Sequence, residues 1–119
     1  MKKVMVLGAS PNKRRFSYSC VKSLLRHGYD VVPIGKRSGE IDEVNILTDK
    51  PQISNLDTVT LYLNSENQKD YYDYILGLKP NRIIFNPGAE NSELKKMAEN
   101  KDIDVVEQCT LVMLNSGNF

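Results

Sequence analysis

The chain has no tryptophan, a single histidine, only two cysteines and no surplus of either charge. Each shortage removes a class of function. Sixteen basic residues against fifteen acidic ones leave a net charge of +1, without the broad basic field that a nucleic-acid or anionic membrane surface partner needs. His27 falls in the last turn of the first predicted helix, where a partial positive charge suits the helix dipole. That placement argues against a metal centre or histidine-based catalysis. No apolar run approaches the roughly 20 residues of a membrane span. Met1-Lys2-Lys3 leads straight into an apolar strand, without the longer core and cleavage site of a secretory signal. The expectation is therefore a cytoplasmic protein whose partner is a small molecule. In that setting Cys20 and Cys109 are expected as reduced thiols rather than a disulfide.

What remains is a chain of 119 residues, 40% of them hydrophobic, about the size of one ordinary domain. No linker-like stretch divides it, so residues 1–119 are read as a single domain. Lys3 to Leu7 is a continuous apolar run, the pattern of a central parallel strand covered on both faces. Tyr18, Val21, Leu24 and Leu25 then recur at helical spacing between Ser17 and His27, with Gly28 as the terminator. A second strand runs from Tyr29 to Ile34, and Pro33 near its end suggests that backbone pairing finishes there.

Gly35 to Gly39 is a basic loop. The pattern between Glu40 and Asn55 is weak, with a short strand over Val44–Leu47 and a turn at Pro51. Thr58 to Leu63 is strongly β-prone, and Asn64-Ser65 can cap a helix that carries Tyr71, Tyr74, Ile75 and Leu78 on one face. Gly77 and Pro80 are expected to stop it. Arg82 to Asn86 forms another strand, and a helix from Ser92 turns Leu94, Met97 and Ala98 inward. Asp104–Val106 reads as a last short strand, and Thr110–Leu114 as a C-terminal extended segment.

Strands alternating with helices imply a parallel sheet with helices on both faces, because parallel neighbours need crossover connections. The fold class is α/β, a Rossmann-like three-layer arrangement with a mostly parallel sheet of about five to six strands. Ligands of such sheets sit at the carboxyl ends of the strands, near the point where strand order reverses.

Three loops at those ends carry the candidate chemistry. After the first strand, Gly8 lets the backbone turn sharply and approach a ligand, and Ser10 with free N–H groups can donate to an anion. Lys13, Arg14 and Arg15 add charge; the alternative is an ordinary tight turn with solvated cations. After the second strand, Gly35, Lys36 and Arg37 stand where an NAD-preferring fold carries an acid for the ribose hydroxyl. Cations there suit a ribose phosphate instead, that of NADP or the 3′-phosphoadenosine of coenzyme A, or form a solvated basic turn. Asn64 and Ser65 serve helix capping first and ligand contact second. Asn86-Pro87-Gly88-Ala89 offers either a further wall of the crevice or a turn.

Other motifs are missing. Gly8 lacks the two further glycines of a dinucleotide fingerprint. No phosphate-binding Gly-Lys-Ser/Thr, nucleophile elbow, paired-cysteine metal site or catalytic carboxylate pair is present. No catalytic residue and no metal ligand are assigned.

The string Gly8-Ala9-Ser10-Pro11-Asn12, with Arg15, Ser17-Tyr18, Leu24, Gly28-Tyr29-Asp30-Val31 and Pro33, resembles the start of small stand-alone bacterial CoA-binding domain proteins. Gly39-Glu40-Ile41, Leu56-Asp57-Thr58-Val59, Asn86 to Asn91 and Val105-Val106-Glu107 with Cys109 extend the likeness over nearly the whole chain. The resemblance implies a Rossmann-like fold akin to the CoA-binding domain of succinyl-CoA synthetase and other acyl-CoA ligases, with coenzyme A as ligand and NADP as the alternative. By position, Gly8, Ala9, Ser10 and the segment Arg15-Phe16-Ser17 would hold the pyrophosphate, with Asn12 as a further cofactor-binding residue. Pro33, Gly35 and Lys36 would lie against the 3′-phosphate end, with Asn64, Ser65 and Gly88 lining the opposite wall. Ile34-Gly35-Lys36 departs from the family's more usual Val-Asn-Pro, Lys13 replaces a proline, and Asn86-Pro87 stands where glutamine is common. The implied role is binding of CoA or acyl-CoA without turnover, as a regulatory or carrier module, alone, as a homodimer or beside a ligase-type partner subunit. The alternatives are an NADP-binding oxidoreductase and a fragment of a multi-subunit acyl-CoA ligase.

Overall fold

The computed structural model describes residues 2–119. Five parallel strands form one sheet in the order β2-β1-β5-β6-β7, made of β1 (Lys3–Leu7), β2 (Asp30–Ile34), β5 (Leu56–Leu61), β6 (Arg82–Phe85) and β7 (Asp104–Val106). Strands β3 (Gly39–Ile41) and β4 (Val44–Ile46) pair separately as an antiparallel hairpin. The sheet is all parallel because every connection between its neighbours passes through a helix or the hairpin.

The alternation of β1 divides the core in two. Val4 and Val6 point into one apolar layer with Cys20, Val21 and Leu24 of α1 (Phe16–Arg26) and Leu114 of α5 (Thr110–Ser116). Met5 and Leu7 point into the other, with Val59, Leu61, Ile83 and Phe85. That layer is closed by Ile75 of α3 (Tyr72–Leu78) and by Leu94 and Ala98 of α4 (Ser92–Glu99). A strand buried on both sides has to be apolar at every position, as Val4 to Leu7 are. The three-layer α/β architecture follows.

Several boundaries differ from the sequence expectation for identifiable reasons. The helix after β5 is broken into α2 (Ser65–Gln68), a 3₁₀ turn (Lys69–Tyr71) and α3. Gly77 lies inside α3 and does not stop it; Lys79 does, in a left-handed conformation at φ 53°. Thr110–Leu114 is helical rather than extended, and α5 ends at Gly117, φ 77°. The weak region holds the β3–β4 hairpin, turned by Asp42 and Glu43 at φ 47° and 70°. Pro33 sits within the pairing of β2, opposite Val6, and its carbonyl accepts from the Leu47 N–H at 2.9 Å. A proline fits there because β2 is the outer strand of the sheet. No helix among the described residues is long and apolar enough to cross a membrane.

Candidate functional site

Strand order reverses between β1 and β5, and the cleft opens at their carboxyl ends, where such sheets place ligands. It encloses about 830 Å³. Its base is the turn after β1, where Gly8 adopts φ 98° and both the Gly8 and Ala9 N–H groups donate to the Ile34 carbonyl at 2.8 and 2.9 Å. A Cβ at Gly35 would stand 2.0 Å from the Ala9 carbonyl oxygen. Glycine at position 35 thus lets the first loop lie directly on the end of β2. Pro11 is held the same way, since a Cβ at Gly39 of the hairpin would lie 2.7 Å from its ring.

The loop then bonds to itself. Ser10 Oγ accepts from the Asn12 N–H at 3.1 Å, and Asn12 Oδ1 accepts from the Arg14 N–H at 3.0 Å. This leads into α1, whose N-cap Arg15 supplies no side-chain cap. The N–H groups of Ser10, Phe16 and Ser17 have no hydrogen-bond acceptor among the described residues. Open donors at a helix start, under the positive end of its dipole, suit a phosphate.

The opposite wall comes from the loops after β5 and β6. Asn64 Oδ1 accepts from the Asn67 N–H at 2.9 Å and so caps α2. Gly88, at φ 92°, donates its N–H to Glu90 Oε1 at 2.9 Å. Among the described residues four cations line the cleft, Arg14, Arg15, Lys36 and Arg37, and no acidic, histidine or cysteine side chain does. None of the four is in an ion pair among the described residues. A second depression of about 580 Å³ lies at the amino ends of β6 and β7, where Lys79 and Lys101 are offset by Asp102 and Asp104. It has no such excess of one sign.

Ten of the residues singled out from sequence line the cleft together: Gly8, Ala9, Ser10, Asn12, Arg15, Phe16, Ser17, Lys36, Asn64 and Gly88. Pro33, Gly35 and Ser65 do not. Pro33 and Gly35 are buried against the first loop and Leu47, and Ser65 faces solvent at the start of α2. Arg14, Arg37 and Pro87, which belong to the loops read as candidate chemistry, also line the cleft, and Tyr62, Leu63 and Asn67 do so without having been singled out. The cationic loops carried the signal for the two arginines; Tyr62 and Leu63 look like ordinary strand residues in sequence.

Beneath the cleft, Tyr62 turns its hydroxyl into the layer between β5, α1 and α5, where no group comes into good hydrogen-bonding geometry. Burial, with Cys20 and Cys109 nearby, pushes this phenol well above its usual range. Burial likewise pushes the Cys20 thiol up to about 12, partly opposed by Tyr62. Both are neutral near pH 7. Neither can act as a base or nucleophile toward the cleft in that state.

Residues 2–115 match the family described as CoA binding domain. The chain belongs to the CoA binding domain family. Solved structures share the fold. One described as an uncharacterized protein is 46% identical, with a TM-score of 0.97 over 100% of this chain and 98% of its own. A hypothetical protein from Pyrococcus horikoshii OT3 is 24% identical, with a TM-score of 0.87 over 97% of this chain and 82% of that one. A Thermus thermophilus protein is 20% identical, with a TM-score of 0.86 over 99% of this chain and 90% of its own. No curated protein matches the chain. The two more distant structures establish a shared fold, and the family match makes CoA the ligand against which the cleft is judged. Its residues fit that group: open N–H donors and four cations face the space a nucleotide with several phosphates would fill.

Proposed function

We propose that the cleft binds coenzyme A or an acyl-CoA and performs no reaction on it, so that the protein acts as a carrier or regulatory module. The observation that carries this reading is the set of four unpaired cations around a cleft with no acidic side chain. A pyrophosphate and a 3′-phosphate together bring a comparable negative charge, and charge-assisted hydrogen bonds to phosphate are among the stronger polar contacts. Arg15 and the α1 N–H groups serve the pyrophosphate, and Lys36 and Arg37 the 3′-phosphate. Among the described residues the lining offers no nucleophile beside a base, since Ser10 and Ser17 have no histidine or carboxylate in the cleft.

The same cations after β2 favour one other ligand, NADP, whose 2′-phosphate they would also suit. Isothermal titration against CoA, dephospho-CoA, NADP and NAD separates the two. CoA is expected to bind most tightly and dephospho-CoA more weakly. NADP binding far more tightly than CoA would overturn the reading.

A further inference from the structure

The two walls of the cleft's uncharged end part company soon after their strands stop pairing. The β5–β6 ladder ends at Leu61 and Phe85, with one further bond from the Asn86 N–H to the Leu61 carbonyl at 3.4 Å. Beyond it, no backbone-to-backbone hydrogen bond joins the segment from Leu63 to Asn67 to Pro87, Gly88 or Ala89. A side chain makes that connection instead.

Gln68 is fully buried. Its Nε2 donates to the Leu63 carbonyl at 2.8 Å and to the Ala89 carbonyl at 2.7 Å, one on each wall. Its Oε1 accepts from Asn91 Nδ2 at 2.9 Å, which fixes the orientation of the amide. Asn91 is fixed in turn, donating to the Tyr72 hydroxyl at 2.8 Å and accepting from the Leu94 N–H at 3.1 Å. A buried carboxamide is costly unless its donors and acceptor are met, and a fully met network holds its members rigidly. An apolar residue would fill the same space without joining the walls.

The cleft is also divided by charge. Its four cations follow β1 and β2, whereas Leu63, Asn64, Asn67, Pro87 and Gly88 carry none. On the CoA reading, on which this inference rests, the phosphates occupy the cationic end and the uncharged pantetheine arm crosses the end that Gln68 spans. We propose that Gln68 is a positioning residue, acting through the Leu63 and Ala89 carbonyls on the adjoining Leu63 and Gly88 walls, that sets the width of this end and so the affinity for the pantetheine arm.

The test compares two ligands on one variant. Adenosine 3′,5′-bisphosphate carries the charged half of CoA without pantetheine. In Gln68→Met, titration is expected to show CoA bound about tenfold more weakly, the loss of roughly one buried hydrogen bond's worth of fit, with bisphosphate affinity within twofold of wild type. Gln68→Asn, one methylene shorter, can reach one carbonyl at most; it is expected to fold and to show a smaller loss confined to CoA. Equal losses for both ligands would make Gln68 merely structural, and an unchanged CoA affinity would remove it from the site; either overturns the inference. Wild-type protein that binds neither ligand would instead bring down the CoA reading, and the inference with it.

Discussion

Asn86 and Thr110, separated by 24 residues, meet where the Asn86 Oδ1 accepts the Thr110 N–H at 2.8 Å. The same amide donates to Thr60 Oγ1 at 2.7 Å and to the Leu61 carbonyl at 2.8 Å, while Thr60 and Thr110 share a hydrogen bond at 2.8 Å. All of these groups are buried. One side chain at the end of β6 thus satisfies the first turn of α5 and ties it to β5. Asn86→Ala removes both the donor and the acceptor and leaves their partners without compensation. We expect a loss of about 2–4 kcal/mol in urea unfolding; a loss below about 0.5 kcal/mol, the level of an ordinary surface change, would show that water replaces the amide.

That pair also explains what the sequence concealed. Thr110 to Leu114 is β-prone by composition, and nothing adjacent to it caps a helix, because the cap comes from Asn86. The β3–β4 hairpin was hidden similarly. Its strands are too short to show a period, and it turns on Asp42 and Glu43 at positive φ without the Asn-Gly or Asp-Gly pair that marks such turns. The central sheet was legible because Val4–Leu7 and Ile83–Phe85 are continuous apolar runs, which only doubly covered strands require, and because Thr58–Leu63 is rich in β-branched residues. For the cleft, the sequence showed which loops converge but not which atoms face inward. Gly35 follows β2 beside Lys36, yet one lies under the first loop and the other opens on the cleft.

Gly35 offers a second prediction. An alanine Cβ there would stand 2.0 Å from the Ala9 carbonyl oxygen, a backbone atom that cannot turn aside. The loop after β1 must move, and with it the Gly8 and Ala9 bonds to Ile34. Gly35→Ala is expected to cost about 3 kcal/mol in thermal or urea unfolding, at the upper end of overpacking effects, and to weaken CoA in titration. Full stability with unchanged affinity would mean that the loop tolerates displacement.

The uncompensated charge of the cleft predicts salt dependence. Exposed cations are screened over about 8–10 Å at physiological salt, so CoA affinity should fall steadily between low and high sodium chloride. The slope should be shallower for dephospho-CoA, which lacks one phosphate. Arg15→Ala is expected to weaken CoA by roughly 1.5–3 kcal/mol if its guanidinium bonds a phosphate directly. Titration across a salt series measures both. A flat salt profile would place the phosphates away from Arg14, Arg15, Lys36 and Arg37.

At the other end of the sheet, Asp57 links charge to stability. Partial burial works to raise its pKa, but the Thr58 hydroxyl donating at 2.7 Å and the Asn81 amide at 3.1 Å, with Lys2 and Arg82 nearby, hold the carboxyl below its usual value. A carboxyl depressed in the folded state contributes stability above its unfolded pKa of about 3.9, and that contribution is lost as pH falls through the folded value. Because the group is partly solvated, its worth at pH 7 is expected to stay below about 1 kcal/mol. Asp57→Asn should therefore be slightly less stable than wild type in urea at pH 7, with the gap closing below pH ~4 as the wild-type carboxyl protonates. A gap that stays the same size from pH 7 down to the lowest pH at which the protein remains folded would assign the effect to the amide's hydrogen-bond geometry rather than to the lost charge.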